Sequence, residues 1–350
     1  MSRLFVSLIS LLALSAQAAE LEWNLNGYAT ATHFQSQEFQ PDTSLIAVNG
    51  SLQYENFAIR TQVADRETAI RRFAVEYSLP IVGNNLLVQL GRLPRLTTLF
   101  SDVYGNPDEW GMAVLPLSTY NRRKVHSLAF QAYDGVKVMW DHPTSIGHVR
   151  ATANYGRNIE EFDCEWQMEA VRKPCMSGWT LRPQGNNYDA ALEFSRGPVK
   201  LLASVNHVSA KSELLNSKDR TGIYFTKMVP TLDYYFYRQG VKYEGSRWYV
   251  QAEHGENRLW FGDKLYSTAR DDYVMGGYDV TGNCTAFGGY SSGHERGSTF
   301  TSRDRFGGGI CRVGQWAFSL EHHNGEGSWQ RIDSRVYDWG TWVASATVTF

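Results

Sequence analysis

The chain has 350 residues and a mass of 39.6 kDa, with a formal net charge of −2 and an isoelectric point near 6.5. This balance of charges argues against a nucleic-acid-binding protein, which would carry an excess of basic residues. An apolar content of 43% excludes a disordered chain, and a mean hydropathy of −0.38 excludes a bundle of membrane helices. The 13% of aromatic residues and the 31 glycines, against 10 prolines, favour short strands joined by turns.

Residues 1–18 read MSRLFVSLISLLALSAQA and have the three parts of a secretory signal peptide. Arg3 supplies a positive charge, the eleven residues that follow it are mainly apolar, and Ala16 to Ala18 form an A-x-A cleavage site. We expect cleavage after this site, which leaves residues 19–350 as one exported domain. An ordinary buried N-terminal helix is the alternative. No later segment approaches 18 consecutive apolar residues, so the exported chain either stays soluble or enters a membrane as strands.

The last segment, Trp339–Phe350, alternates in polarity with a period of two. Its even-numbered face runs from Gly340 through Trp342 to Phe350 and is mainly apolar, whereas its odd-numbered face is rich in Ser and Thr. A strand with lipid on one side needs this pattern. The terminal Phe350 resembles the C-terminal assembly signal of bacterial outer-membrane barrels. The alternative is a soluble β-sandwich strand that happens to end the chain.

The same alternation recurs along the chain, and sixteen strands can be laid out from Leu21–Phe34 to the last segment. Seven of the connections are tight turns and eight are long. The long ones include Leu93–Asp134 after the fifth strand, Gly156–Asn186 after the seventh and Asn257–Asp271 after the eleventh. An even strand count with both chain ends at the short-turn side is what a single-chain outer-membrane barrel requires. We therefore predict an all-β, transmembrane antiparallel β-barrel of about 16 strands.

These features together resemble a Gram-negative porin. The segment after the fifth strand reads GRLPRLTTLFSDVYGNPDEWGMAVLPLSTYNRRKVHSLAFQAYDGVKV. Its Gly-Arg at a strand end, its Pro and aromatic-rich stretch, and its Tyr-Asp-Gly before the next strand are similar to the phosphate-selective porin O and P group and its marine relatives. The Pro-Glu-Phe-Gly-Gly motif of general porins is not visible, so the chain departs from that group.

The resemblance implies an outer-membrane channel for small polar or charged solutes, with the third long connection folded inward. It implies no enzymatic activity, no cofactor and no metal. It also implies contact with outer-membrane lipids, insertion by the barrel-assembly machinery and assembly as a homotrimer.

Strand parity selects the candidate pore lining. The expected inward-facing basic residues, with two that begin the third long connection, are Arg60, Arg72, Lys137, Arg150, Lys200, Arg92 and Arg95. The expected opposing acids, three of them within that connection, are Asp102, Asp108, Glu109, Asp189, Glu193, Glu253, Asp279 and Glu321. Because charged rings in a narrow channel set ion preference, the basic wall predicts a slight preference for anions. The alternative is that these are ordinary solvated charges without selectivity.

The four cysteines fall into two local pairs, as expected for disulfides in an oxidising compartment. Cys164 and Cys175 lie in the fourth long connection with ten residues between them. Cys284 and Cys311 fall opposite each other in the register of one hairpin. We predict the disulfides Cys164–Cys175 and Cys284–Cys311.

The second pair could lie on either face of the wall. If Phe287 and Phe306 of the same hairpin face lipid, both thiols face the lumen. Metal binding is the alternative use of the cysteines, but no His or Cys cluster has zinc spacing.

Consecutive histidines, His322 and His323, raise the alternative of an outer-membrane lipid hydrolase or protease. Neighbouring residues on a strand point to opposite faces, so these two side chains cannot act together. Positions in an aromatic girdle or at a loop rim are the commoner explanation for such histidines. We therefore predict a channel and not an enzyme. The barrel enzyme and a soluble periplasmic β-sandwich stay as alternatives.

Overall fold

The computed structural model describes residues 21–35, 43–64, 70–81, 84–94, 99, 133–158, 162–163, 179–183, 186–214, 232–261, 263–295, 301–327 and 337–350. Nearly all of these residues lie in β-strands or in the tight turns between them. In the described ranges, no helix is long and apolar enough to cross a membrane.

Eighteen strands occur in these ranges. The first seven are β1 (Glu22–Phe34), β2 (Thr43–Tyr54), β3 (Phe57–Ala64), β4 (Ile70–Ile81), β5 (Asn84–Leu93), β6 (Tyr133–Thr144) and β7 (Gly147–Asn158). Two short strands follow, β8 (Phe162–Asp163) and β9 (Trp179–Pro183). The last nine are β10 (Asn187–Arg196), β11 (Val199–Leu214), β12 (Leu232–Glu244), β13 (Trp248–Phe261), β14 (Lys264–Thr281), β15 (Cys284–Glu295), β16 (Thr301–Val313), β17 (Trp316–Gly327) and β18 (Tyr337–Thr349).

Sixteen of the strands form a closed antiparallel ring. Strands β1 to β7 pair in chain order, β7 pairs with β10, strands β10 to β18 pair in chain order, and β18 returns to β1. The short β8 pairs with β9, and β9 pairs with the far end of β11. The ring confirms the predicted sixteen-stranded barrel, since β8 and β9 stand outside its closed circuit.

The two ends of the barrel differ in their connections. Glu22 pairs with Gln53 beside the turn between β2 and β3, and the Thr349 N–H donates to the Gln315 carbonyl in the turn between β16 and β17. Both ends of the ring's chain therefore lie at the short-turn end, as the sequence predicts. The strand ends that flank the long connections, including the end of β5, lie at the opposite end.

One predicted loop is wrong. Strands β13 and β14 continue as a paired ladder to Phe261 and Lys264, where the sequence pattern predicted the long connection Asn257–Asp271. The outward positions in this stretch are charged, as at Arg258 and Arg270, so the apolar alternation stops while the backbone hydrogen bonds continue. Polarity alternation reports which face is apolar, and it does not report where pairing ends.

The two faces of the wall differ in exposure and polarity. In β18 the side chain of Trp342 is exposed, with 48% of its surface accessible, whereas Thr341 and Val343 are buried. Even-numbered residues of β18 therefore point outward and odd-numbered residues point into the barrel. The same alternation around the ring leaves large apolar residues exposed outside, among them Trp23, Leu25, Leu52, Phe57, Trp140, Leu192, Val250, Trp316, Phe318 and Leu320. A wall that is apolar outside and polar inside is typical of barrels that face lipid.

Phe350 closes the ring at the seam between β1 and β18. Its N–H donates to the Gly27 carbonyl at 3.0 Å, and its carbonyl accepts from the Gly27 N–H at 2.8 Å. Its ring lies over the same residue, because a Cβ on Gly27 would lie 2.6 Å from the ring atom Cε2. The glycine therefore leaves the space that the terminal aromatic ring fills.

Cys284 and Cys311 form a disulfide between directly paired positions of β15 and β16, as the hairpin register predicts. The condition under which both thiols would face the lumen is not met, because Phe287 and Phe306 are buried inside the barrel and do not face outward. Phe306 packs over Gly289, where a Cβ would lie 2.5 Å from its ring. The two cysteines therefore have the outward parity. Cys164 and Cys175 lie outside the described residues.

Replacing Gly27 with Ala should destabilise the closed barrel by roughly 1–3 kcal/mol, because the new methyl group collides with the Phe350 ring and the Ala47 carbonyl. Phe350→Asp should act in the same direction and lower the yield of folded protein. Gly50→Ala is the matched control, since its Cβ would meet only a Thr61 methyl group at 3.2 Å and a more distant Leu25 methyl. Heat-modifiable gel migration measures the folded fraction. Equal migration of the Gly27 and Gly50 variants would show that the contact between Gly27 and Phe350 does not stabilise the closed barrel.

Non-reducing peptide mapping should recover Cys284 linked to Cys311, because the register sets these residues opposite each other. Linkage of Cys164 to Cys175 stays a prediction from the sequence, and the same map tests it. A peptide joining Cys164 to Cys284 would contradict both pairings and the strand register.

Candidate functional site

The inward face of the barrel is the candidate site, and its first group centres on Glu76. The Glu76 cluster consists of Glu76 with Arg60, Arg72 and Gln89, on β3, β4 and β5. Arg60 Nε donates to Glu76 Oε2 at 2.8 Å, and Arg72 Nη2 donates to Oε1 at 3.3 Å. Gln89 Nε2 donates to Oε1 at 2.7 Å. Two cations thus converge on one buried carboxylate, and the cluster carries a net positive charge.

A second group is a charge ladder across β6, β7, β10 and β11. It consists of Asp141, Arg150, Glu193 and Lys200. Arg150 Nε lies 2.7 Å from Asp141 Oδ1, Arg150 Nη1 lies 3.9 Å from Glu193 Oε1, and Lys200 Nζ lies 2.7 Å from Glu193 Oε2. All four side chains keep part of their surface accessible, so each pair adds little to stability, about 0–1 kcal/mol. The ladder therefore matters mainly as fixed charge inside the barrel.

A third group, the Arg238 cluster, is almost fully buried. Arg238 Nη1 lies 2.8 Å from Asp271 Oδ1, as an ion pair without a well-aligned hydrogen bond, and Asn257 Nδ2 donates to Asp271 Oδ2 at 2.7 Å. The guanidinium lies against Gly255, where a Cβ would fall 1.2 Å from Nη1. Only glycine at this position lets the long side chain lie along the wall and reach its partner.

The fourth group is the His323 cluster on β16 and β17. His323 Nδ1 lies 2.9 Å from Asp304 Oδ2, and Nε2 lies 3.2 Å from Glu321 Oε2, with all three side chains buried. A neutral imidazole carries one N–H and can donate to only one of these carboxylates. The arrangement therefore favours a ring that is protonated on both nitrogens.

A Gly-x-Ser-x-Gly match, Gly289 to Gly293, lies beside this cluster and escaped the sequence reasoning. Its Ser291 is buried, points into the barrel and pairs with Asp304 across β15 and β16. The match runs along a strand, whereas a nucleophile elbow needs a strand followed by a sharp turn and a helix. Both nitrogens of His323 already face carboxylates, so the ring offers no free nitrogen to accept a proton from a serine.

In the Glu76 cluster and the charge ladder, the more accessible charges are basic. The side chains of Arg60 and Arg72 are 45% and 35% exposed, whereas that of Glu76 is 6% exposed. Arg150 and Lys200 are likewise more exposed than Asp141 and Glu193. On the other side of the ring, Asp271, Asp304 and Glu321 are buried with cationic or imidazole partners.

Most of the residues singled out from the sequence have the inward parity. Arg60, Arg72 and Arg150 do, and so do the further basic and acidic residues expected there, Lys137, Lys200, Asp189, Glu193, Glu253, Asp279 and Glu321. The structure corrects Arg92, which pairs in register with the outward-facing Phe73 and with Asp134. Its Nε donates to Asp134 Oδ1 at 3.1 Å. Arg95, Asp102, Asp108 and Glu109 lie outside the described residues.

The candidate pore lining derived from the sequence did not include Glu76, Arg238, Asp271 and Asp304. The same strand parity could have found the first two, which lie within predicted strands. It could not have found Asp271, because that residue was assigned to a loop. None of these residues is distinguished by sequence spacing, since their partners lie on other strands.

Leu99 shows where the chain goes after β5. Its backbone N–H donates to Glu253 Oε1 on β13, and its side chain lies over Gly240 on β12. Both wall residues have the inward parity. At Leu99 the third long connection is therefore inside the barrel, as the sequence predicts.

Within the described ranges, no group of His, Cys, Asp and Glu side chains could hold a metal ion. In the His323 cluster the two carboxylates flank opposite nitrogens of the ring, so the donors do not converge on one point. The inward face therefore presents charges and hydrogen-bonding groups. Its described part contains no centre for metal chemistry.

Several solved barrels have the same fold. OmpT, an outer membrane protein of Vibrio cholerae, matches with a TM-score of 0.59 at 10% identity, over 94% of this chain and 98% of that one. The outer membrane channel DcaP of Acinetobacter baumannii matches with a TM-score of 0.58 at 11% identity, over 94% and 97%. Salmonella typhi OmpF, in a complex with daunomycin, matches with a TM-score of 0.54 at 10% identity, over 94% and 97%.

The chain has the fold of these outer-membrane barrels. No family model matches the sequence, and no curated protein matches it. At 10–11% identity the likeness extends to the fold and its full length, and it does not extend to particular side chains.

Replacing Glu76 with Gln should shift the reversal potential under a salt gradient toward anions. The change removes one negative charge and leaves two guanidinium groups in place. Asp134→Asn is the matched control, because it removes one acid from the outward face. Planar-bilayer recordings of both variants give the comparison. The same shift from both would mean that Glu76 has no special position along the ion path.

Proposed function

We propose that this protein is an outer-membrane channel through which small hydrophilic solutes diffuse. The observation that carries the proposal is the two-faced wall, apolar and exposed outside and charged inside, in a ring of sixteen strands. A barrel of this strand number is wide enough to leave an aqueous path. The likeness in fold to a protein described as an outer membrane channel, DcaP, supports it.

The proposal includes a route to the membrane. Residues 1–18 would direct export and be removed near Ala18, and the barrel-assembly machinery would recognise the last strand with Phe350. The apolar outer face would then contact outer-membrane lipids, with the short turns on the periplasmic side.

We further propose that three copies assemble. One structure of the Vibrio cholerae neighbour is described as its trimer form, and that barrel matches over its full length. Size measurement of the detergent-solubilised protein tests this part independently of conductance.

We also propose that the channel has a weak preference for anions, as in a phosphate-selective porin. The Glu76 cluster offers two accessible guanidinium groups against one buried carboxylate. Arginine binds oxyanions through paired N–H donors, so phosphate or carboxylate solutes would gain most from this wall.

The alternative function is a barrel enzyme, a lipid hydrolase or protease. Among the described residues, the group that most resembles catalytic machinery is the His323 cluster with Ser291. Its histidine is held by two carboxylates and its serine is buried, so neither base nor nucleophile is available to a substrate. We therefore propose that the protein is not an enzyme.

Purified protein in a planar bilayer should produce stepwise increases in conductance. Denatured protein at the same concentration is the control for detergent effects. Absence of steps together with turnover of lipid would favour the enzyme instead.

The double variant Arg72→Ala with Arg150→Ala should shift the reversal potential toward cations. After the change Arg60 still pairs with Glu76 and Lys200 still pairs with Glu193, while Asp141 loses its closest partner and keeps His148 at 3.8 Å. The folded barrel should therefore survive. Arg92→Ala is the matched control, because Arg92 has the outward parity and should leave selectivity unchanged. An unchanged reversal potential in the double variant would place the arginines away from the narrowest part of the path.

A further inference from the structure

Four arginines lie on the outer face of the barrel, near the strand ends that flank the long connections. We call them the arginine belt: Arg258 on β13, Arg270 on β14, and Arg303 and Arg305 on β16. Each is exposed, whereas a residue next to it along its strand is buried inside the barrel. The belt therefore faces away from the lumen and takes no part in the solute path.

The belt lies at a nearly constant height above the short turns. Arg258, Arg270 and Arg303 are ten or eleven residues from the short-turn ends of their strands, and Arg305 is eight residues away. With a rise of about 3.3 Å per residue and a strand tilt of about 40°, ten residues span about 25 Å, the height of the apolar band of an outer-membrane barrel. The guanidinium groups therefore lie at the level of the outer-leaflet headgroups.

The half of the belt on β13 and β14 has two arginines around one acid. Arg258 Nη2 lies 2.6 Å from Glu256 Oε1, and Arg270 Nε lies 3.3 Å from Glu256 Oε2. The Arg258 guanidinium also lies 5.2 Å from the centre of the Tyr237 ring, a contact that orients it. The Arg270 side chain is 65% exposed, so these three charged residues present a net positive charge to the outside.

The half of the belt on β16 has the same balance. Arg303 Nη1 lies 2.7 Å from Glu326 Oε1, and its side chain is 62% exposed. Among the described residues, no carboxylate pairs with Arg305. One further described acid faces outward on β13 to β16, Asp272, and it lies 2.6 Å from His254. Four arginines thus face three acids, and the patch is basic.

Below the belt, the wall has little side-chain cover. Gly276, Gly288 and Gly307 are directly paired across β14, β15 and β16. Gly309 lies one outward step below Gly307, and Arg305 lies one outward step above it. We call these four glycines the glycine face. A Cβ on any of the last three would contact only backbone atoms of the neighbouring strand, at 3.4 Å or more, so no side chain covers them from outside.

We propose that the arginine belt binds the phosphate groups of an anionic outer-leaflet lipid, whose acyl chains lie over the glycine face. Guanidinium groups bind phosphate through paired N–H donors, and two basic groups side by side match a headgroup with more than one phosphate. The glycine face lies four to six residues from the short turns, at the depth of the acyl chains. The inference rests on the proposed outer-membrane location.

Native mass spectrometry of the detergent-solubilised protein measures the binding. Diphosphoryl lipid A, which has two phosphates and several acyl chains, should form adducts, and phosphatidylcholine at the same concentration should form far fewer. The double variant Arg270→Gln with Arg303→Gln should lower the fraction bound to lipid A on the order of tenfold. Arg258 still pairs with Glu256 in this variant, and heat-modifiable migration checks that the barrel is folded.

The matched control is Arg196→Gln with Arg247→Gln, which removes two exposed arginines at the short-turn end of the barrel. Lipid A binding should stay at the natural level in this protein. Equal adducts of lipid A and phosphatidylcholine, or an equal loss of lipid A binding in the two double variants, would overturn the proposal.

Two further measurements test the part of the site that holds the chains. Gly307→Leu fills the glycine face and should lower lipid A binding, although its Cβ has ordinary contacts with the wall. Inorganic phosphate in large excess should not displace lipid A, because it gains nothing from the glycine face. Displacement by phosphate together with unchanged binding in the Gly307 variant would mean a site for free phosphate and would overturn the lipid.

Failure of this inference is distinguishable from failure of the channel. Stepwise conductance in a protein that does not prefer lipid A would overturn the lipid site and keep the channel. A preference for lipid A that the belt variant loses, in a protein that conducts no current, would keep the lipid site and overturn the channel function.

Discussion

The rest of this structure depends on closing the ring of backbone hydrogen bonds. A strand in a low-dielectric environment cannot leave its N–H and C=O groups unpaired, and the pairing of β18 with β1 removes the two edges that an open sheet would have. At the seam, Gly27 and Phe350 exchange two backbone hydrogen bonds while the aromatic ring covers the glycine. Once the ring is closed, the two-residue period of each strand assigns its side chains to the outer face or to the lumen.

Closure has a consequence for the charges. Side chains that alternate along a strand are forced into one lumen, where like charges would repel and lone charges would lose solvation. These costs are reduced because opposite charges from neighbouring strands pair, as Glu76 does with two arginines and Asp271 does with Arg238. Glycines among them let large side chains lie along the wall, as Arg238 does over Gly255. The same local packing therefore pairs the lumen charges and lets the large side chains lie along the wall. The accessible basic charge that remains lies on one side of the barrel.

Sequence patterns did well where one face of a strand is apolar. The alternation around Trp342 and Phe318 located strands and faces, and the hairpin register located the Cys284–Cys311 pair. They failed where that contrast is absent. The ladder of β13 and β14 past Asn257 was taken for a loop because its outward residues are charged. Arg92 is a different error: it was assigned to the pore as the start of the third long connection, whereas β5 includes it with outward parity.

The sequence by itself determined the alternation of the strands, their number and the end at which the short turns lie, because these follow from a local period of two. Tertiary structure alone decided which charges meet, since Glu76, Arg238 and His323 find their partners on other strands. It also decided that the Gly289–Gly293 match is part of a strand, and that Leu99 reaches Glu253, 154 residues along the chain. A contact between distant segments depends on how the ring closes, and no local pattern carries that information.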